Sequence, residues 1–326
     1  MIENVKPLLS VTHLKKYFPV KGGFFSSEKK VVHAVDDVSF DLMEGEVLGL
    51  VGESGSGKST TGRLILRLIE PTAGSVFYNG EDILKTDSKR MRELRKEMQI
   101  IFQDPYSSLN PRMTVGNILE EPFIIHKIGD KKERKEKVLR LLEKIGLHPD
   151  AVKRYPHEFS GGQRQRVGIA RAIALSPKLI IADEPISSLD VSIQAQIINL
   201  LEDLQKEFNL SLLFIAHDLN MVRHLSDRVA VMYLGRIVEL AKTEDLFKNP
   251  RHPYTEALLS AIPVADPTRR REKILLTGDI PSPIDLPTGC RFQSRCPKKI
   301  KECETIDPPL YPVGDHHEAA CILVKN

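Results

Sequence analysis

The first 289 residues contain no cysteine, and the 326-residue chain has no tryptophan at all. The cysteines are confined to roughly the last tenth of the chain, at Cys290, Cys296, Cys303 and Cys321. Secreted proteins that depend on disulfides carry them through most of the fold, so this distribution speaks against that class. The cysteines are instead expected to serve one local purpose near the C-terminal end.

Long apolar runs are also missing. The apolar runs that are present, such as Leu212–Ala216 and Leu179–Ala182, fall far short of the roughly 20 residues that a membrane-spanning helix needs. Met1–Asn4 show no basic-then-apolar signal pattern. We therefore expect a cytoplasmic protein whose contact with a membrane is made through a partner.

Neither sign of charge dominates. The chain has 47 basic and 44 acidic residues and a net charge of +3. Proteins that bind nucleic acid through electrostatics usually carry a marked basic excess. We therefore expect no nucleic-acid partner, and an ordinary globular composition with 28% charged residues supports a packed fold.

A glycine-rich loop follows a short apolar strand. Gly52–Ser59 fits the pattern G-x-x-x-x-G-K-[ST], Val47–Val51 precedes it, and a helix is predicted from Ser59 to Ile69. Backbone N–H groups at such a helix start can cradle phosphates, with Lys58 adding positive charge and Ser59 a hydroxyl for Mg²⁺. A chance glycine turn is the alternative, and the flanking strand and helix argue against it. The candidate ATP ligands here are Ser54, Gly55, Ser56, Gly57, Lys58, Ser59 and Thr60.

Two acidic residues close a second apolar strand. Leu179–Ala182 runs into Asp183 and Glu184. Asp183 fits an acid that holds Mg²⁺, and Glu184 fits a base that polarises an attacking water. Alone, such a pair is more often a solvated strand end or a helix cap, so its position relative to other motifs matters.

The most specific motif lies between these two. Ser160, Gly161, Gly162 and Gln163 open a predicted helix, 23 residues before Asp183. The structural interpretation is an N-cap by Ser160 followed by two flexible glycines. The functional interpretation is a phosphate site made of the same N–H groups and helix dipole.

The series resembles the ATP-binding cassette (ABC) ATPases, in which this signature caps the ATP held by a second cassette. The resemblance assigns Gln103 to the Q-loop, which contacts Mg²⁺ and the attacking water. It assigns Ser188-Leu189-Asp190 to the D-loop and His217 to the switch histidine at the γ-phosphate. It also makes Tyr17 the candidate for stacking on adenine, with Phe18 as the alternative.

The resemblance implies an α/β fold with an ABC-type P-loop NTPase core. That core is a mixed sheet with a parallel RecA-like part, joined by an antiparallel N-terminal β-subdomain. Residues 1–240 are predicted to form the nucleotide-binding domain, with a helical signature subdomain over about 90–175. Residues 241–326 are predicted to form a small C-terminal extension. The strands expected before the glycine loop are Leu8–Val11, Val31–Val35 and Val38–Leu42.

Three further stretches resemble the importers of oligopeptides, dipeptides and nickel. They are Gln103–Arg112, Arg154–Phe159 and His252–Thr255, the last followed by Ile262-Pro263. The resemblance implies a second, related or identical ATPase subunit, two transmembrane permease subunits and an extracytoplasmic peptide-binding protein. It places the chain on the cytoplasmic face of the cell membrane. Nickel or another small solute remains an alternative cargo, and a soluble ABC ATPase an alternative class.

The four cysteines are separated by five, six and seventeen residues. Structural zinc sites favour closely paired cysteines, which are missing here. The wider spacing suits a [4Fe–4S] cluster better, and some peptide-importer ATPases carry one in this region. Zn²⁺ and free thiols remain open, as does a primary role for the tail as an iron–sulfur sensor. His316 and His317 could replace one ligand, although a solvated turn is the expected place for both.

Overall fold

A computed structural model describes residues 6–20, 30–104, 108–187, 189–262 and 274–324. The chain divides into two compact units. The phosphate-loop unit comprises Met1–Met43, Val47–Lys85 and Ala216–Asn326, and the signature unit comprises Glu44–Glu46 and Thr86–Ile215. Both units are therefore built from segments that are distant in sequence.

The described residues form both strands and helices. The strands are β1 (Leu9–Pro19), β2 (Val31–Leu42), β3 (Val47–Val51), β4 (Ala73–Tyr78), β5 (Glu81–Asp82), β6 (Met98–Ile101), β7 (Leu179–Asp183), β8 (Ser211–Ala216), β9 (Arg228–Tyr233), β10 (Arg236–Lys242), β11 (Tyr311–Gly314) and β12 (His317–Ala319). The helices are α1 (Lys58–Ile65), α2 (Ser88–Glu97), α3 (Val115–Ile125), α4 (Lys131–Lys144), α5 (Gly161–Ile173), α6 (Val191–Phe208), α7 (Leu219–Leu225), α8 (Thr243–Lys248) and α9 (Pro253–Ser260). The described residues also form short 3₁₀ turns at Pro149–Lys153, Pro156–Glu158, Lys301–Glu304 and Ile322–Val324.

The phosphate-loop unit contains an antiparallel sheet in the order β2-β1-β4-β5. A second set of strands begins with the fully buried β3, which runs parallel to β9 with Leu50 opposite Ala230. Antiparallel pairing then continues from β9 to β10, β12 and β11. The strands nearest the C-terminus are therefore joined to the strand that leads into the glycine loop.

The signature unit contains the parallel strands β6, β7 and β8. All residues of β7 and β8 are buried and, apart from Asp183 and Ser211, apolar, as expected for strands covered on both faces, whereas Gln99 and Ile100 of β6 are half-buried. Helices α2 to α6 belong to the same unit, and α4 buries Val138, Leu141 and Leu142. Gly146 directly follows Ile145, the C-cap of α4, and has a φ of 66°, the left-handed conformation in which a glycine commonly ends a helix.

Three elements differ in their bounds from the sequence-based expectation. Strand β1 continues beyond the predicted Val11 to Pro19. One strand, β2, covers the range predicted as two, because it continues through Asp37 with a φ of 71° and an irregular register. Helix α1 ends at Ile65, short of the predicted Ile69. The chain turns there because Arg67 takes a φ of 49°, a conformation that a helix cannot continue.

Strand β10 runs through residue 240, where the sequence predicts a domain boundary. The division at 240 stays a prediction, since the phosphate-loop unit includes segments from both sides of it. Within the parts of the chain that are described, every helix is too short or too polar to span a bilayer.

Candidate nucleotide site

The glycine loop is held in a shape that only glycine tolerates at its narrow points. Gly57 has a φ of 106°, and a Cβ there would lie 2.2 Å from the carbonyl oxygen of Ala34. At Gly52 a Cβ would lie 2.1 Å from the carbonyl oxygen of Met232. These neighbours are backbone atoms and cannot rotate away. The loop is therefore pressed against its own unit from two sides.

Lys58 is buried at the start of α1 and its ammonium group lies against the loop. Its Nζ donates to the carbonyl oxygens of Gly52 and Glu53 at 2.8 and 3.0 Å. Ser54 and Gly55 are exposed, whereas Ser59 and Thr60 are half-buried. An ammonium group and solvent-exposed loop residues at the start of a helix are suited to bind phosphate oxygens.

The acidic residues lie in the signature unit at the end of β7. Asp183 is buried, at 1% exposure, and Glu184 follows it in the left-handed region with a φ of 44°. The Glu184 N–H donates to the carbonyl oxygen of Ile215 at 3.0 Å, which anchors this turn to β8. Non-glycine residues in this region are uncommon and concentrate at functional sites.

Gln103 follows β6 and its amide Nε2 donates to Glu184 Oε2 at 3.0 Å. These residues are 81 positions apart, and the sequence assigned both to the reaction centre. The parallel strands β6 and β7 are neighbours, and each residue follows the C-terminal end of its strand. The structure thus brings together the side chains predicted to contact and to activate water.

Ser160 is the N-cap of α5. Its Oγ accepts from the Gln163 N–H at 3.3 Å, and Gln163 Oε1 accepts from the Ser160 N–H at 3.1 Å. This reciprocal capping box confirms the structural interpretation of the motif. The phosphate interpretation uses the same turn, in which Ser160 is exposed and Gly161 half-exposed. It stays a prediction.

The switch histidine and the D-loop are placed in part. His217 is exposed directly after β8, and Asp218 caps α7 by accepting from the Asn220 N–H at 2.8 Å. In the D-loop, Leu189 and Asp190 are described, whereas Ser188 lies outside the described residues. The roles assigned to these residues stay predictions.

Tyr17 is half-buried on β1 and its ring orientation is fixed. The Tyr17 hydroxyl donates to Asp36 Oδ1 at 2.5 Å, and its ring lies 4.5 Å from the His33 ring. Burial, then the bond to Asp36, raises the pKa of Tyr17 to about 12. Stacking on adenine remains its predicted role.

The four cysteines are free thiols, half-buried at Cys290 and Cys296 and buried at Cys303 and Cys321. The Cys290 N–H donates to the Cys303 carbonyl oxygen at 2.9 Å. Burial, with a smaller contribution from the other thiols, raises the pKa of Cys290 to about 11 and also raises those of Cys296 and Cys321. Burial is thus the main reason why these three thiols resist deprotonation.

Proximity of the thiols does not amount to a metal site in this arrangement. Among the described residues, no group of three or more His, Cys, Asp or Glu side chains is placed to hold a metal ion. The expected iron–sulfur cluster and its zinc alternative are therefore not supported by the geometry.

The expectation for His317 was wrong, since this residue is buried and not on a solvated turn. Its Nε2 lies 2.7 Å from Oε1 of Glu239, which is fully buried on β10. The N–H groups of Arg251 and His252 also donate to Glu239, at 2.7 and 2.9 Å. A buried carboxylate needs such partners, and His317 supplies one of them. His316 is exposed, as expected.

Sequence reasoning missed one part of the site, the support of Glu53 within the glycine loop. Its carboxylate pairs with Arg295, and its N–H donates to the Tyr254 hydroxyl at 2.9 Å. These partners lie 242 and 201 positions away, so no local pattern could connect them. The one signal in the sequence is the carboxylate of Glu53 inside a phosphate-binding motif, which indicates that a basic side chain is needed close by.

Models of two protein families match separate parts of this chain. Residues 35–187 match the ABC transporter family, and residues 238–303 match the oligopeptide/dipeptide transporter C-terminal region. The first range includes the glycine loop, the signature and the acidic pair. The second includes Tyr254, Arg295 and three of the cysteines.

Among curated proteins, the chain is 53% identical to the oligopeptide transport ATP-binding protein AppF of Bacillus subtilis over 98% of both chains. It is 55% identical to a putative peptide import ATP-binding protein of Brucella ovis, over 97% of this chain and 98% of that one. Among solved structures, it resembles the ATP-binding cassette MJ0796 bound to ADP and Pi. The TM-score is 0.64 at 29% identity, covering 72% of this chain and 98% of that one. These likenesses agree with the α/β cassette fold expected from the sequence.

Proposed function

This chain belongs to the ABC transporter family of ATP-binding proteins, and from that premise we propose that it powers the import of di- and oligopeptides by hydrolysing ATP. The observation that carries this proposal is the pairing of two matches in one chain. A cassette with its motifs in order is followed by the C-terminal region found in oligopeptide and dipeptide transporters. Relatives that align over nearly the full length carry oligopeptide transport or peptide import in their names.

Within one chain, Lys58 and the loop N–H groups are proposed to hold the β- and γ-phosphates. The oxygens of Ser59, Gln103 and Asp183 are of the hard type that Mg²⁺ prefers, and the ion would neutralise phosphate charge. Glu184 is proposed to accept a proton from the attacking water while the Gln103 amide orients the carboxylate, consistent with their 3.0 Å contact.

The other contacts are proposed to come from His217 at the γ-phosphate, Tyr17 at the adenine and the signature of a facing cassette. Ser160–Gln163 present a capped helix start, which attracts anions. The solved cassette MJ0796 is described as dimeric, which supports a paired arrangement.

We propose that the partners are a second cassette, two transmembrane permeases and an extracytoplasmic peptide-binding protein. The chain would then act at the cytoplasmic face of the membrane. Closure of two cassettes on ATP and reopening after hydrolysis would move the permeases between two states. Uptake of labelled dipeptide and of Ni²⁺ by the reconstituted complex would separate peptide from nickel as cargo.

A [4Fe–4S] cluster on Cys290, Cys296, Cys303 and Cys321 is retained as a separate proposal. Its support is the confinement of all four cysteines to one short C-terminal stretch, although no group among the described residues is placed to hold a metal ion. Anaerobic purification followed by iron and sulfide analysis tests it. Zinc in place of iron would favour a zinc site. If neither metal is found, the four cysteines are free thiols.

The ATPase proposal is tested by Glu184→Gln. We expect equilibrium ATP binding to be retained and turnover to fall by at least about 10²-fold, because the base is lost. Glu207→Gln is a matched control, since Glu207 pairs with Lys144 away from the acidic pair. Turnover of Glu184→Gln at the wild-type rate would exclude Glu184 as the base.

A further inference from the structure

The C-terminal residues 289–296, called here the arginine segment, contact the glycine loop through one ion pair. Arg295 donates from both terminal nitrogens to the two carboxylate oxygens of Glu53, at 2.7 and 3.0 Å. The Arg295 side chain is 8% exposed. A two-point contact of this kind fixes orientation as well as charge. The segment therefore constrains the second residue of the phosphate-binding motif.

The remaining polar groups of Glu53 are also engaged. Its N–H donates to the Tyr254 hydroxyl at 2.9 Å. Its carbonyl oxygen accepts from Lys58 Nζ at 3.0 Å and from the Ser56 N–H at 3.2 Å. The side chain, the N–H and the carbonyl oxygen of Glu53 thus all make hydrogen bonds. We therefore expect a displacement of Arg295 to be passed on to Lys58 through Glu53 alone.

The arginine segment is itself firmly packed. Phe292 is 1% exposed, and its ring lies 5.2 Å from that of Tyr233, 5.4 Å from that of Tyr254 and 5.6 Å from that of His252. Arg291 donates to the Leu234 carbonyl oxygen at 2.5 Å and pairs with Asp36. A packed support is what a residue needs if it is to position another.

Charge gives the contact a second consequence. The Glu53 side chain is 26% exposed and belongs to the loop that is proposed to bind the phosphates. An unpaired carboxylate there would repel the phosphates, because like charges at short range raise the free energy of binding. Arg295 cancels that charge without needing to touch the nucleotide.

We propose that Arg295 and Tyr254 are positioning residues for ATP, which hold Glu53 so that the glycine loop is preset for the phosphates, and that Arg295 also neutralises the Glu53 carboxylate. ATP affinity then depends on the segment that carries Cys290 and Cys296. This inference rests on the proposed ATPase function and adds to it a control of nucleotide binding by the C-terminal region.

The test compares Arg295→Gln, Arg295→Lys, Glu53→Gln and the double variant, with Lys299→Gln as the control. Lys299 lies three residues beyond the arginine segment and pairs with Glu304 at 2.9 Å, so its substitution removes one positive charge without affecting the contact with Glu53. Equilibrium ATP binding is measured on the purified chain, and KM and kcat on the assembled transporter. Melting temperature is followed for each variant.

We expect Arg295→Gln to weaken ATP binding about tenfold and to raise KM in proportion, with kcat changed less than about threefold. Arg295→Lys should fall between, because it keeps the charge and loses the two-point geometry. Adding Glu53→Gln to Arg295→Gln should recover affinity to within about threefold of wild type, since the uncompensated carboxylate is gone. Tyr254→Phe, which keeps the aromatic packing, should weaken binding about threefold.

An Arg295→Gln variant that binds ATP as well as Lys299→Gln would overturn the inference. So would a loss that tracks melting temperature alone and is not suppressed by Glu53→Gln. A wild-type chain that binds no ATP would instead reject the proposed function.

Discussion

The glycine loop and the signature turn both present backbone N–H groups at the start of a helix, yet they are stabilised in opposite ways. The signature turn is closed by a capping box between Ser160 and Gln163, three residues apart. The glycine loop is held by residues up to 242 positions away, in the C-terminal region. One turn is local in origin and the other depends on long-range packing.

This difference has an energetic consequence. A capping interaction forms with its own helix and contributes about 1 kcal/mol. The loop instead requires β3, β9 and the arginine segment to be in place before its strained residues can be held. We therefore expect changes around the loop to alter ATP binding strongly and changes in the signature turn to alter helix stability modestly.

The largest effect is expected when alanine replaces a glycine of the glycine loop, and the same change in the signature turn serves as the comparison. Gly57→Ala places a Cβ 2.2 Å from the Ala34 carbonyl oxygen at a positive φ, so ATP affinity should fall by more than about 10²-fold. Gly161→Ala meets only the flexible end of Leu189, at 3.2 Å, and binding by the purified chain should change less than about threefold. Titration of ATP onto both variants makes the comparison, and equal losses would contradict it.

Acid should weaken the support of the glycine loop before it weakens the signature turn. His252 caps α9, two residues before Tyr254, and burial lowers its pKa to about 4 despite the nearby Glu239. The unfolded chain binds this proton at higher pH, so stability is full above about 6.5 and declines towards pH 4. The loss should reach about 3 kcal/mol, because each pKa unit corresponds to about 1.4 kcal/mol.

Thermal unfolding from pH 7 to pH 4 measures that loss, and amide exchange at residues 53–58 and 160–163 locates it. His252→Asn is the control, because the amide can still accept from the Tyr254 N–H and does not titrate. Its stability should depend less steeply on pH. An unchanged slope would show that another group is responsible.

The smallest effect is expected in the signature turn. Ser160→Ala removes the cap and should cost about 1 kcal/mol, which lowers the melting temperature by a few degrees. Ser160→Asp keeps a capping oxygen and should melt within about 1 °C of wild type. If the turn meets a γ-phosphate, the added carboxylate should nevertheless abolish turnover. Normal turnover of Ser160→Asp would leave the turn a structural cap only.

Much of the site followed from local sequence. The glycine spacing around Gly52–Ser59, the apolar strand ending in Asp183 and the Ser160–Gln163 box each depend on a few neighbouring residues. Their backbone requirements are met within one turn or one strand end, so their residue types are diagnostic. The shorter α1 and the continuous β2 were not foreseen, because positive φ values at Arg67 and Asp37 leave no pattern in side-chain type.

The sequence by itself thus determined the fold family, the order of the nucleotide motifs and the cap of the signature helix. Tertiary structure alone decided that Gln103 reaches Glu184, that His317 is buried on Glu239 and that Arg295 holds Glu53. The physical reason is the range of the interactions. Caps and glycine turns are satisfied by neighbours in the chain, whereas a buried charge needs a partner that only folding brings near.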